Sequence, residues 1–233
     1  MTVTIQLSEV EDLTRRALRA SNVAPQNAES VTHSVVASER DGIHSHGLAR
    51  LPTYCEHARC GKIDGHATPT REQPRPGAIT VDARDGFAHP AIDLGFAVLP
   101  DAARQNGVAG MAVTNSYNCG VVGHHVEKLA DQGLLALGFV NAPASIAPWN
   151  GHKAVFGTNP ISCAVPREND HALVIDQSSS VVAKSEVMVH KQRGEELPEG
   201  WALDADGTPT TDPEAALNGG TMVPAGGYKG ANQ

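Results

Sequence analysis

Aromatic side chains are scarce in this 233-residue sequence, with four Phe, three Tyr and two Trp making up 4% of the chain. The core must therefore be built from Ala, Val, Leu and Ile. Cysteine is equally thin. Cys55, Cys60, Cys119 and Cys163 show no CxxC spacing, which argues against a disulfide framework and leaves no zinc motif, so they read as free thiols. Positive charge is in deficit, with 18 Lys and Arg against 26 Asp and Glu, a net charge of −8 and a pI near 5.7. No global basic field exists to grip phosphates, which argues against nucleic acid or an anionic membrane as partner. Long apolar runs are missing too. None approaches the roughly 20 residues that a membrane helix needs. The opening Met1-Thr2-Val3-Thr4-Ile5-Gln6 has neither the basic region nor the apolar stretch of an export signal, so the expected location is the cytoplasm.

What is abundant is Gly (23) and Pro (15), hence many turns. The first sixty residues read as helices. Ser8-Glu9-Val10-Glu11 has the form of a capping box, followed by Val10, Leu13, Ala17 and Leu18 on one face to about Ala20. Pro25 suits a helix start, and Ala28, Val31, Val35 and Val36 carry that helix to about Arg40. A third helix is expected over about 45–59, with Leu48, Leu51, Cys55 and Ala58 on a stripe that Pro52 interrupts. Residues 64–77, with three prolines, read as a linker or an extended crossing segment. Beyond them, short strands at 78–82, 110–114, 135–140, 161–165 and 173–176 alternate with helical stretches at about 91–106 and 121–132. The expected fold class is α/β: a helical region over 1–75 followed by an α/β domain over 76–233. Residues 198–213 read as an ordered excursion.

The chemistry concentrates in a few segments. On a continuous helix, His46, Arg50 and Tyr54 stand at i, i+4 and i+8 and project from one side. Arg50 can clamp a carboxylate in bidentate geometry while His46 exchanges a proton at a neighbouring oxygen, with Ser45 orienting the ring. The same spacing also suits Ser45 as a helix cap with Arg50 and Tyr54 on a solvated face. Val113 to His125 runs from a strand into a helix through small residues, which lets backbone amides approach a phosphate; a tight turn explains it as well. It is not a GxGxxG, and no such fingerprint occurs in the chain. His124 and His125 are adjacent, and neighbouring helical side chains point about 100° apart, so no metal site is expected there. Thr158 and Asn159 sit in a Gly/Pro-bounded turn that can face a ligand or simply serve itself. Asp176 ends a strand before three serines, a position suited to ribose hydroxyls. Lys229 lies on the glycine-rich Gly226-Gly227-Tyr228-Lys229-Gly230, where it contacts phosphate or solvent.

Taken in order, Ser45-His46-Gly47-x-x-Arg50 with Tyr54, Gly157-Thr158-Asn159-Pro160, Pro198-x-Gly200-Trp201-Ala202 through Pro213, and Gly226-Gly227-x-Lys229-Gly230 resemble the malate/L-lactate dehydrogenase family. This family of NAD(P)-dependent oxidoreductases also includes ureidoglycolate and sulfolactate dehydrogenases and Δ1-piperideine-2-carboxylate reductases. The resemblance implies a non-Rossmann, mixed-sheet NAD(P)-binding domain and a homodimer. It implies His46 as proton donor with Ser45 beside it and Glu186 as the carboxylate of the relay. It implies Arg50, Tyr54 and Thr158 as substrate contacts. Asn118, Cys119, Gly120, Val121, Val122, Asp176, Gln177, Ser178, Gly227, Tyr228 and Lys229 are implied as contacts to NAD or NADP. Tyr117 stands where some relatives carry a histidine. Family members continue beyond the point where this sequence stops, so a C-terminally truncated member is expected. The implied substrate is a small carboxylate-bearing acid, of 2-hydroxy/2-oxo or cyclic imino type.

Overall fold

Three helical segments hold the apolar stripes of the first sixty residues. Helix α1 (Leu7–Ala20) buries Val10, Thr14 and Leu18. Helix α2 (Pro25–Arg40) starts on its proline and buries Ala28, Val31 and Val35, and α3 (Leu51–Arg59) buries Leu51, Tyr54, Cys55 and Ala58. All of these but Thr14, with Val23, Ile63 and Phe87, form one core cluster. The computed structural model describes residues 4–227, and the chain divides into two units, at His124 and His125.

Two helical expectations are corrected. The capping box lies two residues earlier than Ser8-Glu11: Glu9 accepts from the Gln6 amide at 2.7 Å, while Glu11 is drawn to Arg15 at 2.6 Å. The third helix is not continuous over 45–59. His44–His46 and Leu48–Arg50 are separate 3-10 turns, parted by Gly47 at φ −88°, ψ −133°, and α-helix begins only at Leu51. Pro52 therefore falls in the first turn, where its missing N–H costs nothing.

In the first unit, β1 (Thr70–Arg75), β2 (Ala78–Asp82) and β3 (Gly110–Thr114) form a mixed sheet in that order, β1 antiparallel and β3 parallel to β2. β1 arises within the proline-rich stretch expected to be a linker or an extended crossing segment. It is exposed along its whole length and carries an irregularity between Glu72 and Arg75, which is how an edge strand accommodates Pro74. The parallel crossover from β2 to β3 runs through α4 (Ala88–Phe96) and α5 (Leu99–Asn106), two helices where the sequence suggested one, with Pro100 in the first turn of the second. Helix α6 spans Val122–Ala130.

In the second unit, β4 (Ala136–Phe139), β5 (Ile161–Arg167) and β6 (Asp170–Gln177) make an antiparallel meander. Helix α7 (Lys184–Arg193), unassigned from sequence, buries only Val187. The 198–213 excursion holds β7 (Ala202–Leu203) and β8 (Pro209–Thr210), joined by α8 (Pro213–Leu217) and β9 (Thr221–Met222) in a small sheet ordered β8-β7-β9. Ile146, Val182, Val187, Leu197, Ala202, Ala216 and Met222 pack together as its core. One face of the β4-β5-β6 sheet remains apolar and open. The register aligns Leu137, Cys163 and Ile175, and Phe139 with Ile161; Phe139 is 71% exposed and Ile175 49%.

Among the described residues, no helix is long and apolar enough to cross a membrane. All four cysteines are free.

Candidate active site

The turn after α2 carries Ser45 and His46, both half-buried, with Ser45 Oγ 3.2 Å from His46 Nδ1. The turn closes on itself, because the His46 amide donates to the Ile43 carbonyl and the Gly47 amide to that of His44. The Glu39 carboxylate, one residue before the end of α2, accepts from the Leu48 amide at 2.6 Å and meets His44 Nδ1 at 2.7 Å. A Cβ on Gly47 would run into that same carboxylate, so glycine is required there.

Arg50 follows on the second 3-10 turn. Its Nε is buried and has no hydrogen-bond partner among the described residues. Tyr54, one turn into α3, is buried against Phe87 and Tyr117, with ring centroids 5.7 and 5.9 Å apart in edge-to-face geometry. Three of the nine aromatic side chains, Tyr54, Phe87 and Tyr117, thus pack together. Burial pushes the Tyr54 phenol well above its ordinary pKa and raises Tyr117, with the Arg50 charge opposing both shifts. Both hydroxyls stay neutral. Tyr54 Oη donates to Asn118 Oδ1 at 2.7 Å, and the same oxygen accepts the Gly120 amide at 2.9 Å.

Tyr117 reaches this cluster because the chain after β3 runs along residues 83–86. Ala83 N donates to Thr114 O, Asp85 N to Asn115 O, and Tyr117 N to Gly86 O. Asn115, at φ +49°, donates from Nδ2 to Asp82 Oδ1, which also accepts the Arg84 amide; the Arg84 bond first, then Asn115, holds that carboxyl below its usual range. The Tyr117 hydroxyl lies 2.7 Å from His57 Nδ1. Burial, with Lys62 next, pushes the His57 imidazole down, so it stands as a neutral partner to the phenol. Glu39, His57 and Phe87 were missed from sequence, since nothing local joins them to the motif.

His46, Arg50 and Tyr54 therefore do not share one helical face, as a continuous helix would impose. Gly47 breaks the run, and each side chain is set by its own turn. Of the phosphate-loop candidates, Asn118, Cys119 and Gly120 are half-buried, while Val121 and Val122 are buried at the start of α6. Gly120 takes φ +73°, with Ser34 Oγ and His89 Nε2 where a Cβ would stand. His124 is committed to Asp41 at 2.9 Å.

In the second unit, a cavity of about 400 Å³ is lined by Phe139, Ile146, Pro148, Phe156, Asn159 and Ser179, among others. Thr158 borders it in sequence. Its carbonyl accepts from the Ser179 amide and the Ser178 hydroxyl, and Asn159 Oδ1 accepts from the Ala142 amide. Asp176 and Gln177 are exposed at the end of β6, and Glu186 sits half-buried in the first turn of α7. Gly227, at φ +58°, lies against Trp149. Tyr228 and Lys229 lie outside the described residues.

A family model described as malate/L-lactate dehydrogenase matches residues 5–232. The chain belongs to the malate/L-lactate dehydrogenase family. It is 47% identical over 228 residues to a (2R)-3-sulfolactate dehydrogenase (NADP(+)) of Chromohalobacter salexigens, covering 98% of this chain and 68% of that protein. It is 37% identical over 229 residues to a Δ1-pyrroline-2-carboxylate/Δ1-piperideine-2-carboxylate reductase of Pseudomonas putida, covering 98% of this chain and 67% of the reductase. The crystal structure of the Δ1-piperideine-2-carboxylate reductase of Pseudomonas syringae superposes with a TM-score of 0.92 at 36% identity, over 99% of this chain and 69% of that one. The helical N-terminal region and the small mixed sheets are thus those of the malate/L-lactate dehydrogenase family. Its chemistry is oxidoreduction with a nicotinamide cofactor.

Proposed function

We propose that this chain exchanges a hydride with NAD or NADP at the α-carbon of a small 2-hydroxy or 2-oxo acid of malate or lactate type. The carrying observation is the Ser45–His46 contact followed by Arg50, whose buried Nε still lacks a partner. A guanidinium with an uncommitted donor suits an anionic ligand, because an unsatisfied buried N–H is costly until a carboxylate accepts from it. Arg50 fixes the acid, Tyr54 and Tyr117 keep neutral hydroxyls beside it, and Thr158 adds a further contact. In the oxidising direction His46 takes the hydroxyl proton; in the reducing direction it returns a proton to the carbonyl oxygen. Ser45 and Glu186 orient and relay. Residues 1–75 carry the acid–base motif and 76–233 most of the cofactor contacts.

The residues present suit a dinucleotide. Asn118 to Val122 lead small side chains into the N-terminus of α6, a favourable place for phosphate. Asp176, Gln177 and Ser178 offer groups for ribose hydroxyls, and Gly227, Tyr228 and Lys229 a basic loop. The mainly apolar cavity of the second unit suits a flat ring. When bound, the cofactor supplies or accepts the hydride.

A second reading, reduction of cyclic imino acids, is favoured by the 37% identity to the Pseudomonas putida reductase. Nothing in the proton chemistry separates the two, because His46 can protonate an imine nitrogen as readily as an oxygen. Titration with NADH and NADPH, followed by assays on pyruvate, oxaloacetate, 3-sulfopyruvate and Δ1-piperideine-2-carboxylate, tests both. Saturable quenching of nicotinamide fluorescence and turnover of one acid are expected. No quenching with either nucleotide overturns the enzymatic reading and leaves a non-catalytic family member.

We also propose that the chain pairs with a second copy through the open face of β4-β5-β6. Its neighbouring Leu137, Phe139, Ile161 and Ile175 form an exposed apolar patch of the kind that marks protein interfaces. Phe139→Asp is expected to shift a dimer to monomer in analytical ultracentrifugation while the circular dichroism spectrum is kept. An unchanged sedimentation coefficient refutes the interface. The four free thiols fit a reducing cytoplasm.

A further inference from the structure

His57 and Tyr117 belong to none of the motifs that carry the family resemblance, yet the fold joins them beside the acid clamp. His57 Nδ1 stands 2.7 Å from Tyr117 Oη. Tyr54 and His57 are one turn apart on α3, and Arg50 is the residue from which that helix starts. The Tyr117 ring is fixed from three sides: its centroid lies 5.9 Å from Tyr54, 5.6 Å from His57 and 6.2 Å from Phe87, each edge-to-face. Its amide donates to the Gly86 carbonyl. With ring and backbone both held, the direction of the hydroxyl proton is the main freedom left to this side chain. Burial raises the phenol and Arg50 opposes that rise; burial and then Lys62 lower the imidazole, Glu56 opposes, and Arg50 adds a smaller push downward. The Arg50 guanidinium thus acts on both members of the pair.

We propose that Tyr117 donates a second hydrogen bond to the acid held by Arg50, and that His57 is the positioning residue that directs its hydroxyl. This rests on the reading of Arg50 as the acid clamp. A carboxylate only accepts hydrogen bonds, so an acid seated on the buried Arg50 Nε draws the phenol proton toward itself. Oη then offers lone pairs to the imidazole, and His57 completes the contact as the tautomer with its proton on Nδ1. A hydrogen bond from the phenol to an anion is of the stronger, charge-assisted class. The groups that face His57 are Lys62, Glu56, Arg50 and Tyr117. Its lowered imidazole takes a second proton only below the ordinary histidine range. There Nδ1 carries a proton in every molecule, so the grip on the acid tightens as pH falls.

The test compares Arg50→Ala, Tyr117→Phe, His57→Leu, His57→Asn and the double variant Tyr117→Phe/His57→Leu in the full chain. Oxalate, an unreactive acid anion, is titrated by calorimetry, and NADPH by fluorescence. Tyr117→Phe is expected to weaken oxalate roughly tenfold or more, as for a lost hydrogen bond to a charged group, with NADPH affinity unchanged. His57→Leu should weaken it at least about threefold, and His57→Asn, whose amide nitrogen can stand in for Nδ1, should recover to within about twofold of wild type. The double variant should bind no worse than Tyr117→Phe alone, because His57 acts only through that hydroxyl. Oxalate should turn His57 to the Nδ1–H tautomer in ¹⁵N NMR, and the gain in affinity at lower pH should vanish in His57→Asn. If Arg50→Ala loses oxalate while Tyr117→Phe or His57→Leu stays within about twofold of wild type, the proposal is overturned and the clamp stands. Additive losses in the double variant overturn it too, as does a parallel loss of NADPH affinity, which marks general damage. A pH profile that His57→Asn leaves unchanged also overturns it. If Arg50→Ala binds oxalate as wild type does, or wild type binds none, the clamp and the proposal fail together.

Discussion

His46→Ala is expected to lower kcat by about 10²–10⁴-fold, the range for a lost general acid or base, with little change in the affinity for NADPH or NADH. The separation follows from where the side chain stands. His46 sits on a 3-10 turn, its ring beside Ser45 Oγ, while the loop assigned to phosphates begins at Asn118 after another strand. Its removal takes away a proton carrier and leaves both the Arg50 turn and that loop intact. Stopped-flow turnover together with nucleotide titration checks this directly. Turnover within a factor of two of wild type removes His46 from the chemistry, and a loss confined to nucleotide affinity assigns it to the wrong ligand.

Arg50→Ala is expected to raise KM for the acid by roughly 30- to 3,000-fold, corresponding to about 2–5 kcal/mol for truncating one partner of a buried charged pair. The loss in kcat should be smaller, because the clamp grips the acid in ground and transition states alike. Arg50→Lys should recover little. Lysine lacks the planar fork, and the donor buried without a partner here is Nε, which an ammonium does not replace. Measuring KM for the acid and Kd for the nucleotide on the same preparations separates the roles. An effect on the nucleotide alone refutes the clamp.

The parts of the fold legible in the sequence are those whose reasons are local. Pro25 starts a helix and Val31 and Val35 line its buried face, because proline and a 3.6-residue stripe carry their meaning with them. Strands β2 and β3 fall on the expected residues for the same kind of reason. β1 does not, because Thr70 to Arg75 is polar and fully exposed and exists only by pairing with β2. Nor does α7, where one buried valine leaves no stripe to read. The stretch 45–59 reads as one helix in sequence but is broken at Gly47, beside the Leu48 amide that donates to the Glu39 carboxylate nine residues before it. The site divides in the same way. Ser45, His46, Arg50 and Tyr54 announce themselves as residue types in a row, whereas the neutral His57 beside Tyr117 requires sixty residues of chain to be folded first. The residues alone leave the cofactor contacts ambiguous between ligand and turn at 113–125, Asp176 and Lys229, and the family likeness adds the rest, since the chain has no glycine fingerprint.

Asn118 gives the site a thermodynamic property of its own. One side-chain oxygen accepts from Tyr54, on the helix that follows the acid clamp, and from the amide of Gly120, in the loop assigned to the nucleotide. Ordering either side therefore orders part of the other, and the conformational entropy they share is lost once rather than twice. Acid and nucleotide would then tighten each other by an equal factor whichever arrives first, as linkage demands. A pool rich in one ligand would then lower the concentration of the other needed for saturation.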